Sequence, residues 1–359
     1  MKLCFNLLIH TIINRKKITI VLLVFFLLLL LMAGVFGIIL YGYFFKPNVT
    51  LNNQKYDYLY IPTGSRFEDV FNILKKNKFL TTGSTFEWVS KRKNYPEKVR
   101  PGKYRIRDGM SNNELVNLLR SGRQEPVRVT FLNIRRKEDL AGRISRQIEA
   151  DSLSLIRLLK DGSFLNQYGV TTDNAFVLFI PNTYEFYWNT SAKGFISRMA
   201  QEKKKFWNNP RLEKCKRSGL TIPQVVTLAS IIEKETNQDV EKPVIAGVYM
   251  NRLKKGWLLQ ADPTIIYAWN DYSIKRILNY HLKINSPYNT YLYPGLPPGP
   301  ICLPSVCSID AVLNFVHSDY FYFCAKADLS GYHVFAATLA DHSRNAKKYQ
   351  DAIKKEGIH

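Results

Sequence analysis

The sequence predicts an α+β protein on a single N-terminal transmembrane helix, with a small strand-and-helix domain followed by a larger mixed α+β domain. Three observations predict this. An apolar run of 28 residues, Ile18 to Phe45, holds no charged residue. Two strand–turn–helix units of similar style follow between Tyr56 and Gly122. Strand-like and helix-like patterns then alternate through the rest of the chain. The expected divisions are a cytoplasmic N-terminus (1–17), the span (18–45), a polar linker (46–55), the small domain (56–125) and the large domain (126–359).

About 20 apolar residues span a bilayer as a helix, so the run crosses with some tilt. Arg15, Lys16 and Lys17 precede it, and basic residues are retained on the cytoplasmic side. The N-terminus is therefore expected inside and everything after Lys46 outside. A cleaved signal peptide is the alternative, but its apolar core would be about 7–15 residues. Tyr41, Tyr43, Phe44 and Phe45 suit an interfacial aromatic belt instead. This topology excludes cytosolic metabolites and chromosomal DNA as direct targets of the main body. The net charge of +22 would point to nucleic acid in a cytosolic protein. Outside, it fits anionic headgroups or an acidic polymer such as cell wall, or simply a basic composition shared across the source lineage.

Pro47, Asn48, Asn52 and Asn53 mark the linker. Tyr56 to Ile61 alternates as a strand does. Pro62-Thr63-Gly64-Ser65 turns, with Ser65 placed to cap a helix to about Lys76 that carries Phe67, Val70, Phe71 and Leu74 at helical spacing. A helix over Phe86–Arg92, a strand over Gly102–Ile106 and a helix over about Asn112–Leu119, ended near Gly122, complete the small domain. The large domain opens with a strand, Val127–Leu132, then helices over about Lys137–Ala150 and Leu153–Lys160. An aromatic-rich stretch follows, Asp173–Asn189, then a charged helix, Phe195–Asn208.

Of five cysteines, Cys4 is expected inside and Cys215, Cys302, Cys307 and Cys324 outside, where disulfides persist. Cys302 and Cys307 are close enough in sequence to pair. No Cys/His spacing suggests zinc. His281, His317, His333 and His342 are scattered, so neither metal nor cofactor is expected.

The distinctive block begins at Thr221. Thr221 caps, Pro223 sits in the first turn and Gln224 completes a capping box. Val225 to Ile232 is apolar nearly all round, which predicts a deeply buried helix. It ends in Glu233-Lys234-Glu235-Thr236. Burying an unpaired charge is costly, and an apolar surround raises a carboxyl pKa, as a general acid near neutral pH requires. The helix C-terminus pushes the same way. The alternative is a pair of surface acids at an emerging helix end, matched to Lys234 or Arg252. A second helix, Pro243–Leu253, two loops stiffened by Pro and Gly, and strands over Tyr320–Ala325 and His333–Ala336 follow. Stiff loops with Asn, Thr and Tyr around a helix-borne acid suit a groove for a polar polymer; ordinary structural turns would read the same.

Six segments together carry a resemblance: Ala229–Thr236, Gly247–Arg252, Leu259–Thr264, Ser286–Thr290, Gly295–Ile301 and His333–Phe335. In order and spacing they resemble the YceG-like (MltG) endolytic murein transglycosylases, and Phe179–Tyr184 is similar to that family's aromatic-Pro-Asp-Thr-Tyr segment. The resemblance covers nearly the whole chain. It implies a LysM-like small domain and a YceG-like catalytic domain that cuts peptidoglycan glycan strands. It puts the catalytic acid on Glu235, with Glu233 and Lys234 supporting, and Gln260, Asp262, Tyr288, Asn289 and Thr290 lining the cleft. It further implies an enzyme of the bacterial inner membrane, its catalytic domain periplasmic or extracytoplasmic, working beside cell-wall synthases and not on nucleic acid. Asn182 stands where the family commonly has Asp, and the acidic residue usual shortly before it is missing.

A lytic transglycosylase manages with one carboxyl group, because the sugar's own C6 hydroxyl is the nucleophile. A hydrolase would need a second carboxylate, for which Asp262 is the candidate. A non-catalytic peptidoglycan-binding scaffold and an acidic-polymer binder are the remaining alternatives.

Overall fold

The computed structural model describes residues 2–52 and 54–357, and no side chains of residues 2–16 or Ile18. Cys4, Arg15, Lys16, the linker residue Asn53 and the C-terminal Ile358 and His359 thus lie outside the described residues or side chains. The chain divides into two compact units, Met1–Pro126 and Val127–His359.

The first unit opens with a long helix, α1 (Lys2–Phe45). Its segment Thr19–Phe45 is, among the described residues, the one helix long and apolar enough to cross a membrane. Strand β1 (Tyr56–Ile61), α2 (Phe67–Lys76), α3 (Gly83–Arg92), β2 (Gly102–Arg107) and α4 (Asn112–Ser121) follow. β1 and β2 pair antiparallel, from Tyr56 opposite Arg107 to Ile61 opposite Gly102. Their period-2 pattern puts Leu59, Ile61, Tyr104 and Ile106 into a core with Val70, Leu74, Phe86, Val89, Leu115 and Leu119. Ser111 and Glu114 form a capping box on α4, and Gly122 ends it in the left-handed region at φ 68°. Helix α2 departs from expectation. Its N-cap is Arg66 rather than Ser65, and the Asp69 carboxylate accepts the Arg66 N–H at 2.8 Å.

The stretch expected as a linker is built into this unit. Pro47 bridges to Ser111 and Val49 to Leu80. Val49 and Leu51 are buried, and Asn48 donates to Asn112 at 2.6 Å and to the Thr82 carbonyl at 3.0 Å. Asn112 also donates to the Tyr43 carbonyl at 2.9 Å, and the Trp88 ring meets Tyr43 and Phe44 edge-on. The Pro and Asn signals marked irregular backbone correctly. The two apolar residues between them are what tie that backbone down.

The second unit begins with β3 (Val127–Phe131), paired antiparallel with β4 (Asn182–Phe186). Between them run α5 (Lys137–Ser145), α6 (Ser152–Lys160) and α7 (Gly162–Asn166). The aromatic stretch is thus partly a strand, and α5 stops five residues short of Ala150. Then come α8 (Ala192–Phe206), α9 (Asn209–Ser218), α10 (Ile222–Glu235), α11 (Lys242–Lys255), α12 (Asp262–Trp269), α13 (Val306–Leu313), β5 (Tyr322–Ala325), β6 (His333–Ala336) and α14 (Leu339–Lys355). The hairpin β5–β6 carries α14 against it.

Helix α10 is the centre of this unit. Every residue from Val225 to Ile232 is buried, and α11, α12 and α13 pack on it. Gly247 lets α11 approach the chain after α13, since a Cβ there would stand 2.2 Å from the Val316 carbonyl oxygen. The thiols of Cys302 and Cys307 are separate. Cys302 is buried and donates to the Ser230 carbonyl, whereas Cys307 is exposed.

Candidate active site

The apolar length of α10 carries its last turn out of the core at Glu233, Lys234 and Glu235. Consecutive helix positions are turned about 100° apart, so residues two apart face different neighbours. Lys234 points to solvent. The two glutamates enter opposite environments.

Glu233 sits in a polar nest at the N-terminus of α13. Its Oε2 accepts from the Ser305 hydroxyl at 2.6 Å, the Ser308 hydroxyl at 2.5 Å, the Ser305 N–H at 3.2 Å and Lys242 Nζ at 3.3 Å. Lys242 is itself buried and also holds Asp239 at 2.8 Å. Burial alone would raise this carboxyl's pKa, but the serine donors and Lys242 outweigh it and hold it below the usual range. The helix dipole of α13 favours the same anion. Glu233 is a fixed negative charge that ties α10, α11 and α13 together. Neither Lys234 nor Arg252 is its partner: Arg252 donates instead to the carbonyls of Phe321 at 2.8 Å and Leu259 at 2.5 Å.

Among the described residues Glu235 has one hydrogen-bond donor, the Tyr249 hydroxyl of α11 at 2.5 Å on Oε1. Burial drives its pKa up to about 7; the nearby Asp262 charge adds to the rise, while the Tyr249 hydrogen bond and Arg252 oppose it. Tyr249 is fully buried, with Phe323 of β5 edge-on at 5.9 Å. Glu241 anchors the hairpin's other strand by accepting the His333 N–H at 2.7 Å. The acid is thus positioned by a tyrosine that is wedged by a hairpin.

The remaining candidates come from the start of α12, the residues just before it and the loop after it. Asp262 accepts from the Tyr291 hydroxyl at 2.5 Å. Gln260 is held in the left-handed region at φ 49°, and its N–H donates to the Thr290 carbonyl at 3.0 Å. Asn289 is fully buried: its amide donates to the carbonyls of Leu282 at 2.9 Å and Ile284 at 2.8 Å. Thr290 is also buried and bonds Ala261 N–H and Thr264 Oγ1. Both were expected to line the cleft, yet their polar atoms are committed to holding the loops that present Gln260 and Tyr291. Tyr288 packs on Tyr267 with ring centroids 4.6 Å apart, on the far side of α12 from Asp262's end. Tyr249 and Tyr291 were the residues that sequence reasoning missed. Tyr249 was legible as a tyrosine inside the Gly247–Arg252 segment, but nothing in its spacing shows that it faces Glu235.

A carboxyl with its pKa raised to about 7, bonded by the Tyr249 hydroxyl and with Asp262 nearby, has the chemistry to give up a proton and take one back near neutral pH. A family model described as the YceG-like family matches residues 59–348. The chain belongs to that family. A protein of Bacillus subtilis named endolytic murein transglycosylase is 31% identical over 330 residues, covering 87% of this chain and 90% of the relative. One of Streptococcus pneumoniae strain D39 with the same name is 28% identical over 84% of this chain, which spans 60% of that longer relative. Among solved structures, a yceG-like protein of Listeria monocytogenes superposes with a TM-score of 0.54 at 27% identity, over 81% of this chain and 98% of that one.

Proposed function

We propose that this chain is a membrane-anchored endolytic peptidoglycan lytic transglycosylase. It cleaves MurNAc–GlcNAc bonds within nascent glycan strands and leaves 1,6-anhydroMurNAc ends. The observation that carries this is Glu235, a carboxyl on the end of a buried helix with its pKa raised to about 7. A pKa near the working pH suits a group that acts first as acid and then as base.

Glu235 protonates the glycosidic oxygen as the C1–O bond breaks. The C6 hydroxyl of the same MurNAc closes onto C1, and the Glu235 carboxylate takes its proton. The acid is regenerated and no water is consumed. Because the nucleophile is already part of the substrate, its effective concentration is high. The Tyr249 hydroxyl orients the carboxyl and steadies its charge between the two proton transfers. Glu233 and Lys234 support the helix end, and Gln260, Asp262 and Tyr288 stand toward the strand, with Asn289 and Thr290 behind them.

In this reading residues 56–125 form a LysM-like domain and 126–359 the catalytic domain. The span at 18–45 holds the protein in the bacterial inner membrane, with the N-terminus cytoplasmic and the catalytic domain outside. Tethering raises the effective concentration of the site near newly made strands, where cell-wall synthases work. Asp262 lies near enough to Glu235 to raise its pKa, so hydrolysis with Asp262 as base is the second reading.

Mass spectrometry of purified glycan strands treated with the full chain in detergent separates these. Internal fragments ending in anhydroMurNAc are expected from wild type and not from Glu235→Gln. Reducing ends one water heavier would make the enzyme a hydrolase. Uncut strands that still bind would make it a scaffold.

A further inference from the structure

A cavity of about 440 Å³ opens in the second unit between the start of α5 and the end of α12. Its walls include Arg136, Lys137, Asp173, Tyr267, Asn270 and Tyr272, and Glu235 is not among them. Two helices connect it to the acid's surroundings. Along α12, Tyr267 on the cavity wall is five residues from Asp262, about 7–8 Å at the helical rise. Along α10, Ser230 is five residues before Glu235, the same length, and its hydroxyl accepts the N–H of Ile301, the residue after the cavity-lining Pro300. The cavity therefore lies at the far end of α12 from Asp262, in the same unit as Glu235.

Its charges are of both signs and are unequally occupied. Arg136 is paired with Asp139, and Lys137 donates to the Thr172 carbonyl. Glu138, also on the wall, is paired with Lys160. Among the described residues Lys137, Asp173 and Arg135 have no ion-pair partner, and of these three the Asp173 carboxylate and the Arg135 guanidinium, which lies over the Tyr272 ring at 5.0 Å, are exposed. Between them the wall is aromatic, with Tyr267 and Tyr272. A bare glycan strand has carboxylates, hydroxyls and amides but no cationic group, so it has no charge to offer Asp173. A peptide carrying both a carboxylate and a free side-chain amine matches both rim charges, and its aliphatic chain matches the tyrosines.

We propose that this cavity is a second subsite, which receives the stem peptide borne on the lactyl group of a muramoyl residue near the cut. The peptide's carboxylate meets Arg135 and its side-chain amine meets Asp173. The inference rests on the glycan-strand reading of the Glu235 site, but it is tested by binding and not by cleavage.

The test uses the full chain carrying Glu235→Gln in detergent micelles. Its affinity is measured for fluorescent glycan strands with intact stem peptides and for the same strands stripped by an amidase. Two exposed ion pairs, each worth roughly two- to threefold, give an expected preference of roughly four- to ninefold for stem-bearing strands. Asp173→Asn and Arg135→Gln each remove their share of it. Acetylating the stem amine removes the Asp173 share and leaves the Arg135 share, which a merely structural role for Asp173 would not produce. Equal affinity for both strands, or a preference that survives both substitutions, overturns the proposal. Wild-type cleavage of the same strands is scored separately. A protein that prefers stem-bearing strands but cuts neither keeps the subsite and loses the transglycosylase reading.

Discussion

Two glutamates, two residues apart on one helix, have opposite surroundings. Glu233 is met by two hydroxyls, a backbone N–H and a lysine. Glu235 is met by one phenol and the field of another acid. The first has its pKa held below the usual carboxyl range and the second has it raised to about 7, although both leave the same apolar core. What sets a carboxyl's chemistry is the count of donors its neighbours supply, more than the helix that carries it.

Swapping each acid for its amide sharpens that contrast. Glu235→Gln removes the transferable proton, and cleavage is expected to fall by about 10²–10⁴ with the fold intact, read by product mass spectrometry. If Glu233→Gln were the dead variant and Glu235→Gln active, the assignment of roles would be reversed. Glu233→Gln instead leaves the buried Lys242 with only the exposed Asp239 as acidic partner; a lowered thermal midpoint is the readout.

The stability effects of the two amides should differ in sign. A carboxyl whose pKa is raised on folding, here from 4.5 to about 7, stabilises the fold fully below the unfolded value. That contribution is lost as pH rises through the folded value. Glu235→Gln should therefore be more stable than wild type above pH 7, by at most about 3 kcal/mol, and show no such gain at pH 4. Equal midpoints at both pH values would mean that Glu235 is not held near neutrality.

Activity should follow the same titration. It is expected to decline as pH rises through about 7, where Glu235 loses its proton. Tyr249→Phe removes the hydrogen bond that lowers this pKa, so the declining limb should move to higher pH while the rate falls. A limb that stays in place would separate Tyr249 from the acid. The smallest effect expected is on the supporting loop. Asn289→Ala leaves the Leu282 and Ile284 carbonyls without their donor, at about 1–3 kcal/mol, and should lower the thermal midpoint without moving the pH profile.

The same contrast marks what was legible in the sequence. The capping box at Thr221 and Gln224, the buried run to Ile232 and the strands β1 and β6 followed from local spacing, because each is decided by residues within a turn of one another. Glu235 stood out as an acid at the end of an apolar helix. Its proton-tuning partner did not, because Tyr249 reaches it across a helix pair. The nest around Glu233 is supplied by Ser305 and Ser308, more than 70 residues away in sequence. Helices α9, α12, α13 and α14 went unread. α12 opens with Asp262-Pro263 and reads as a turn, and α14 has no buried residue to give it a strong apolar stripe. Asn289 and Thr290 look in sequence like ligand-facing polar residues, and only their burial reveals them as loop fasteners.

The join between α1 and the small unit has a mechanical meaning. The last turn of α1 is gripped by Asn112 and Trp88, and the chain beyond it is pinned at Pro47 and Val49. A helix end fixed in this way is a welded joint and not a hinge. In a bilayer, a change in lipid thickness that tilts the helix would turn the small unit through the same angle, so that the tilt of the helix becomes the tilt of the unit fastened to it.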